Sequence, residues 1–166
     1  MRAKYRPDQV RLLFVGEAPP ASGRFFYQAD SGLYRAMRGT FVKTFPSLEH
    51  TDFLESFRDL GCYLVDLCEA PVDKLSSQRR KKICAQAEPR LSQILQQLRP
   101  HAIATLLLSI APNVERAQVL ANWKGSHIAL PYPGRWHHRH LAFEAALAPL
   151  LLAELKPNPR LGRPLL

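Results

Sequence analysis

An apolar run that ends abruptly constrains this chain more than any other feature. Residues 12 to 15 read Leu-Leu-Phe-Val and stop at Gly16-Glu17-Ala18-Pro19-Pro20. A short, uninterrupted apolar run bounded by a turn of this kind reads as a buried strand. Gly16 lets the backbone turn without a Cβ clash, and Pro19 and Pro20 stiffen the exit. The turn delivers the carboxylate of Glu17 to the carboxyl end of the strand, the edge at which open α/β sheets bind ligands. Taken alone, these nine residues also read as a strand that ends in a Pro-rich loop with Glu17 solvated.

The pattern recurs along the chain. Residues 10 to 15 give a first strand, and Cys62 to Leu67 a second that stops at Cys68-Glu69-Ala70-Pro71. Ala102 to Leu108 give a third. His127 to Leu130 give a short fourth that runs into Pro131-Tyr132-Pro133-Gly134-Arg135-Trp136. Helical patterns fill the gaps. Ser31 caps a helix reaching Lys43, with Leu33, Tyr34, Met37 and Phe41 on one side. A second helix covers Thr51 to Leu60 and ends at Gly61. A long polar helix from Ser76 or Ser77 to Arg99 carries Ile83, Ala87, Leu91, Ile94, Leu95 and Leu98 at helical spacing, with Pro89 as a kink or a restart. Helices over Ser109–Ala121 and His138–Leu155 complete the set, the last with Pro149 inside it. Strands alternating with helices predict βαβ units and an α/β fold. The expected architecture is a three-layer αβα sandwich around a central, mostly parallel four-stranded sheet, with helices on both faces. One domain is expected over residues 1–155, followed by a Pro-rich tail over 156–166 that drapes over the body.

Composition narrows the function classes. The chain has 166 residues, 46% hydrophobic and 22% charged, enough for one proper core. No apolar run approaches the roughly 20 residues that span a bilayer, and no apolar core follows the N-terminal charges, so neither a membrane span nor a secretory signal is expected. Three cysteines make an odd count with no disulfide framework, which points to a reducing, cytoplasmic setting. The net charge of +9 implies a polyanionic partner. Cations fall in groups, among them Arg2, Lys4, Arg6 and Arg11, the run Arg79-Arg80-Lys81-Lys82, and Arg135 with Arg139. No GxxxxGK[ST] and no GxGxxG supports nucleotide binding. No Gly-x-Ser-x-Gly supports a hydrolase of the nucleophile-elbow kind.

Three stretches carry a family resemblance: Val15-Gly16-Glu17-Ala18-Pro19; Gly23-Arg24-Phe25-Phe26, followed by Leu33, Tyr34 and Met37; and Val65-Asp66-Leu67-Cys68-Glu69-Ala70-Pro71. Leu98-Arg99-Pro100 with the third strand, and Leu130-Pro131-Tyr132-Pro133, add a weaker likeness. In this order and spacing the chain resembles the uracil-DNA glycosylase superfamily, most closely its family 4 branch. The resemblance implies a DNA N-glycosylase-like protein of base-excision repair, acting as a monomer on single-stranded or lesion-containing DNA. Such an enzyme flips the target nucleotide into a pocket. A scaffold that binds nucleic acid without catalysis is the alternative. Family 4 members place two iron–sulfur ligands at the spacing of Cys68 and Cys84, which enclose 15 residues. A [4Fe–4S] cluster needs four thiolates, the chain has no Cys-x-x-Cys near its N-terminus, and no cofactor is expected.

The same resemblance assigns site residues. Gly16 and Ala18 belong to the first motif, with Glu17 as water positioner or general base. Phe26, or Phe25 if the register slips by one, stacks on the base. Asp66 stands where the family usually carries Asn. An ionised Asp only accepts hydrogen bonds, so it repels the O4 of uracil and favours an edge rich in donors. Alternatively, burial keeps it neutral, or it activates water. Leu130 stands where the family usually has a His that stabilises the departing base, and His127, His137, His138 or His140 are candidate substitutes. Tyr132, Pro133, Arg135, Trp136, His137 and His138 suit a DNA wedge and phosphate grip. No Cys or acid beside these histidines completes a tetrahedral set, so no metal site is expected.

Overall fold

The computed structural model describes residues 1–155; the tail over 156–166, expected to drape over the body, lies outside the described residues. Four strands form one all-parallel sheet: β1 (Leu12–Gly16), β2 (Cys62–Asp66), β3 (Ala102–Thr105) and β4 (Ser126–Ala129), in the order β2-β1-β3-β4. Every residue of β1, β2 and β3 is buried, as continuous apolar runs in a covered parallel sheet require. Six helices flank the sheet: α1 (Gly32–Thr44), α2 (Phe53–Asp59), α3 (Ser77–Gln86), α4 (Glu88–Leu98), α5 (Ala111–Leu120) and α6 (His137–Glu154).

The strand order dictates where the helices go. The step from β1 to β2 runs one way along the sheet, and the step from β2 to β3 runs back past β1. Right-handed crossovers therefore place α1 and α2 on one face and α3 and α4 on the other. Packing agrees: α1 lies against α6, and α4 against α5. On the α1 and α2 face, Phe14 of β1 meets Phe57 at 5.6 Å between ring centroids, and Phe41 meets Phe53 at 5.3 Å.

Local signals set the helix ends. The Ser31 hydroxyl accepts from the Tyr34 N–H at 3.1 Å, and Asp52 caps α2 by accepting from the Glu55 N–H at 3.1 Å. Gly61 closes α2 with φ +82°, and a Cβ there would lie 2.7 Å from the Arg11 Cγ. The expected long helix is two. Pro89 falls in the first turn of α4, where its missing N–H is not needed, so the chain restarts there rather than kinking. The third strand is shorter than its apolar run: after the Leu106 N–H bonds the Val15 carbonyl at 2.9 Å, Leu108–Ile110 coil into a 3-10 turn. Among the described residues no helix is long and apolar enough to cross a membrane.

β2 is an edge strand, and a tyrosine closes it. The buried Tyr27 hydroxyl donates to the Leu64 carbonyl at 3.1 Å and accepts from the Leu64 N–H at 2.7 Å. These are outward-facing ladder groups that would otherwise be unpaired. Burial pushes the Tyr27 phenol far up, so it stays a donor. Tyr27→Phe removes both bonds while keeping the ring. It is expected to destabilise the protein by about 1–3 kcal/mol, read as a lower urea midpoint with an unchanged slope.

Candidate active site

Parallel register brings the predicted acids to one edge. Gly16 of β1 pairs with Asp66 of β2, so Glu17 leaves the sheet one residue beyond the level of Asp66. The ladder continues past the strands: the Leu67 N–H donates to the Gly16 carbonyl and the Cys68 N–H to the Glu17 carbonyl, both at 2.8 Å. Here the chain order reverses between β1 and β3, the place where open α/β sheets form a crevice. A cavity of about 320 Å³ lies there, and its walls include Gly16, Glu17, Ala18, Phe26, Asp66 and Tyr132. Phe25, Arg24, Arg80, Leu106 and Leu107 complete much of the lining.

Each acid meets an arginine. Arg80 of α3 grips both oxygens of Glu17, its Nη2 lying 2.6 Å from Oε2 and its Nε engaging Oε1. The Glu17 side chain is 9% exposed and that of Arg80 40%. The hydrogen bond to Glu17 raises the Arg80 guanidinium above its ordinary range. Arg2, in a 3-10 turn over Arg2–Tyr5, places Nη2 2.7 Å from Oδ2 of Asp66. Burial raises the Asp66 carboxyl above its ordinary value, and the charges of Arg2 and Arg90 offset only part of that rise. Arg90 of α4 also donates to the backbone carbonyls of Asp66 at 2.5 Å and Leu67 at 2.8 Å.

The aromatic wall is part of the core. Phe26 is 3% exposed and sits edge-on to Tyr27 and Tyr34 at 5.1 and 5.9 Å. The half-buried Phe25 shares the cavity wall, so both candidate platforms face it. Asp30 holds Phe25 by accepting from its N–H at 2.8 Å.

The remaining expected site residues lie elsewhere. Leu130 is fully buried, follows β4 with its N–H on the Thr105 carbonyl at 2.7 Å, and is absent from the cavity wall; an apolar residue at a strand end packs inward. Pro133 is buried, whereas Arg135, Trp136, His137 and His138 are exposed where α6 begins. Among the described residues no histidine lines the cavity. His127 is taken up by Thr105, its Nε2 lying 2.6 Å from the Thr105 hydroxyl, and burial lowers its pKa. His140 is held by its Nε2 on the Gly134 carbonyl at 2.9 Å. The expectation of a substitute histidine thus finds no residue at this cavity.

Spacing within α3 holds one usable signal for a residue not assigned to the site from the sequence. Arg80 is four residues from buried Cys84, so the two share the inward face, although Arg80 reads as one cation in a basic run. Arg2 has no such signal.

The thiols test the cluster that the family 4 likeness implies. Cys68 and Cys84 lie 3.7 Å apart, sulfur to sulfur, both buried. Cys62 begins β2, roughly 20 Å of extended chain from Cys68. Two neighbouring thiols and one remote one do not fit a group that needs four thiolates. Among the described residues no cluster of three or more metal-binding side chains exists. Burial pushes the Cys68 thiol up to about 12 and raises Cys84 as well. Since the thiolate is the nucleophile, an aromatic disulfide reagent at pH 8 is expected to modify the native protein at least about a hundredfold more slowly than the urea-unfolded chain. Rapid labelling of the native protein would contradict this burial.

No curated protein matches the chain. The family model described as the Uracil DNA glycosylase superfamily matches residues 3–160, which cover the sheet, its helices and the cavity. The chain belongs to the uracil-DNA glycosylase superfamily.

Proposed function

We propose that this protein is a DNA N-glycosylase of base-excision repair, closest to the family 4 branch. It would hydrolyse the bond between deoxyribose and a flipped, damaged or deaminated base. The observation that carries the reading is the cavity at the carboxyl edge of the sheet, walled by two acids and two phenylalanines in a chain of this superfamily. Its volume of about 320 Å³ falls in the small-ligand range. The protein acts in the cytoplasm as a monomer.

Glu17 orients the attacking water. The Arg80 fork takes one lone pair on each Glu17 oxygen and leaves others free to accept from that water. Phe26 and Phe25 pack against the base face. Asp66 reads the base edge as an acceptor, which disfavours uracil and favours an edge presenting N–H groups. With no histidine in the wall, the positive charge of Arg24 beside the cavity offsets charge on the departing base. Tyr132, Arg135, Trp136, His137 and His138 meet the duplex, with Trp136 (60% exposed) filling the gap the base leaves.

A binding protein that has lost catalysis is the second reading. It is favoured by the same geometry, because both acids are engaged by arginines and no histidine stands behind a leaving base. The test uses single-stranded and duplex oligonucleotides carrying uracil, hypoxanthine, xanthine or alkylated bases, followed by alkali at abasic sites. Release of at least one base is expected, slowed about 10²–10⁴-fold in Glu17→Gln. Binding that weakens steeply with salt but releases no base from any lesion would leave the second reading.

A further inference from the structure

We propose that Arg2 is a positioning residue that sets which base edge the cavity accepts. It acts by holding Asp66 as a charged, acceptor-only group. The inference rests on the reading of the cavity as a base pocket and goes beyond it by naming the selected edge and the group that selects.

The geometry leaves Asp66 one working oxygen. Oδ2 is taken by Arg2 at 2.7 Å. Oδ1 reaches over Gly16, where a Cβ would stand only 2.7 Å from it, and no donor of the described residues binds it. Gly16 and Asp66 both line the cavity. The first-motif glycine therefore has a second use here: any side chain would displace the carboxylate that lies across it.

Arg2 is built into its place. Its guanidinium lies 5.4 Å from the centre of the Phe25 ring, and its turn is pinned by Tyr5, whose ring stacks on Tyr27 at 5.7 Å. The charged groups facing the Asp66 carboxylate are Arg2 from the N-terminal turn and Arg90 from α4. Arg90 donates from Nη2 to the Asp66 and Leu67 carbonyls, and Arg2 alone hydrogen-bonds the carboxylate among the described residues. Without Arg2 a carboxyl this buried moves toward its neutral form, which donates as well as accepts. With Arg2, the cavity offers an incoming base only an acceptor. The selected class is a base with adjacent N–H donors, such as the N1–H and amino group of a guanine-type edge. The O4 of a uracil-type base meets a lone pair instead.

The test is binding of 9-methylguanine and 1-methyluracil to the full chain, followed by amide chemical shifts. The wild type is expected to prefer 9-methylguanine by at least about tenfold. Arg2→Met, with unchanged far-UV circular dichroism, is expected to lose that preference, and Arg2→Lys to restore most of it. Asp66→Asn gives an independent arm. Arg2 would hold the amide oxygen, turn its NH₂ toward the cavity and swing the preference to 1-methyluracil. An unchanged ratio in folded Arg2→Met or in Asp66→Asn, a wild-type preference for 1-methyluracil, or no binding of either base would overturn the proposal. Failure to release any base from DNA, with the guanine preference intact, would remove the glycosylase reading and leave this one standing.

Discussion

The pairing of Gly16 with Asp66 is the contact on which the site depends. Parallel strands that end in register bring their last residues and those that follow to the same edge, and here these include Asp66, the last residue of β2, and Glu17, just past β1. Side chains alternate along a strand, so a slip of one residue would turn Asp66 to the opposite face of the sheet. The bonds from Leu67 and Cys68 back to Gly16 and Glu17 carry the register into the exit turns. Asp66 is thereby positioned by the sheet itself and Glu17 by the backbone bond that extends its ladder, which fixes side chains more closely than free loops do.

That placement creates an electrostatic problem, and distant elements solve it. Glu17 and Asp66 are nearly buried, and a buried carboxylate without a partner is strongly destabilising. Their partners come from α3 and from the N-terminal turn, 63 and 64 residues away in the chain. Elsewhere on the molecule Arg79, Lys81, Lys82, Arg135 and Arg139 are exposed. The basic residues thus divide into those that pair with buried or nearly buried acids, namely Arg2 with Asp66, Arg80 with Glu17 and Arg116 with Glu88, and a larger set that faces solvent.

This division explains what the amino-acid order revealed and what it concealed. The strands were legible because fully buried parallel strands are continuous apolar runs, and the helix starts because Ser31 and Ser76 are capping residues. Glu17 and Asp66 were legible as acids at strand ends. Arg2 was not, and Arg80 only through its four-residue spacing from Cys84, since a salt bridge across more than 60 residues leaves no local pattern of its own and both residues sit in runs that resemble solvated basic faces. Leu130 shows a related limit. Its resemblance to a functional position carries no side-chain direction, and the structure buries it in the core, outside the cavity wall. The one long helix became two because a pattern of apolar spacing survives a restart at Pro89, while the backbone hydrogen bonds do not.

The N-terminal turn links the stability of the sheet edge to the chemistry of the cavity. Tyr5 stacks on Tyr27 with an interplanar angle of 10°, and Tyr27 satisfies both outward groups of Leu64 two residues before Asp66. Arg2, one turn away from Tyr5, reaches Asp66 itself. Loosening this turn would free the β2 edge and release the Asp66 carboxylate together, because the same aromatic stack supports both. Edge closure and the hold on the Asp66 carboxylate are then two consequences of one packed segment. A change that weakens Tyr5 on Tyr27 should loosen the Arg2–Asp66 pair before it unfolds the sheet, since the ion pair has one anchor and β2 retains its full ladder to β1.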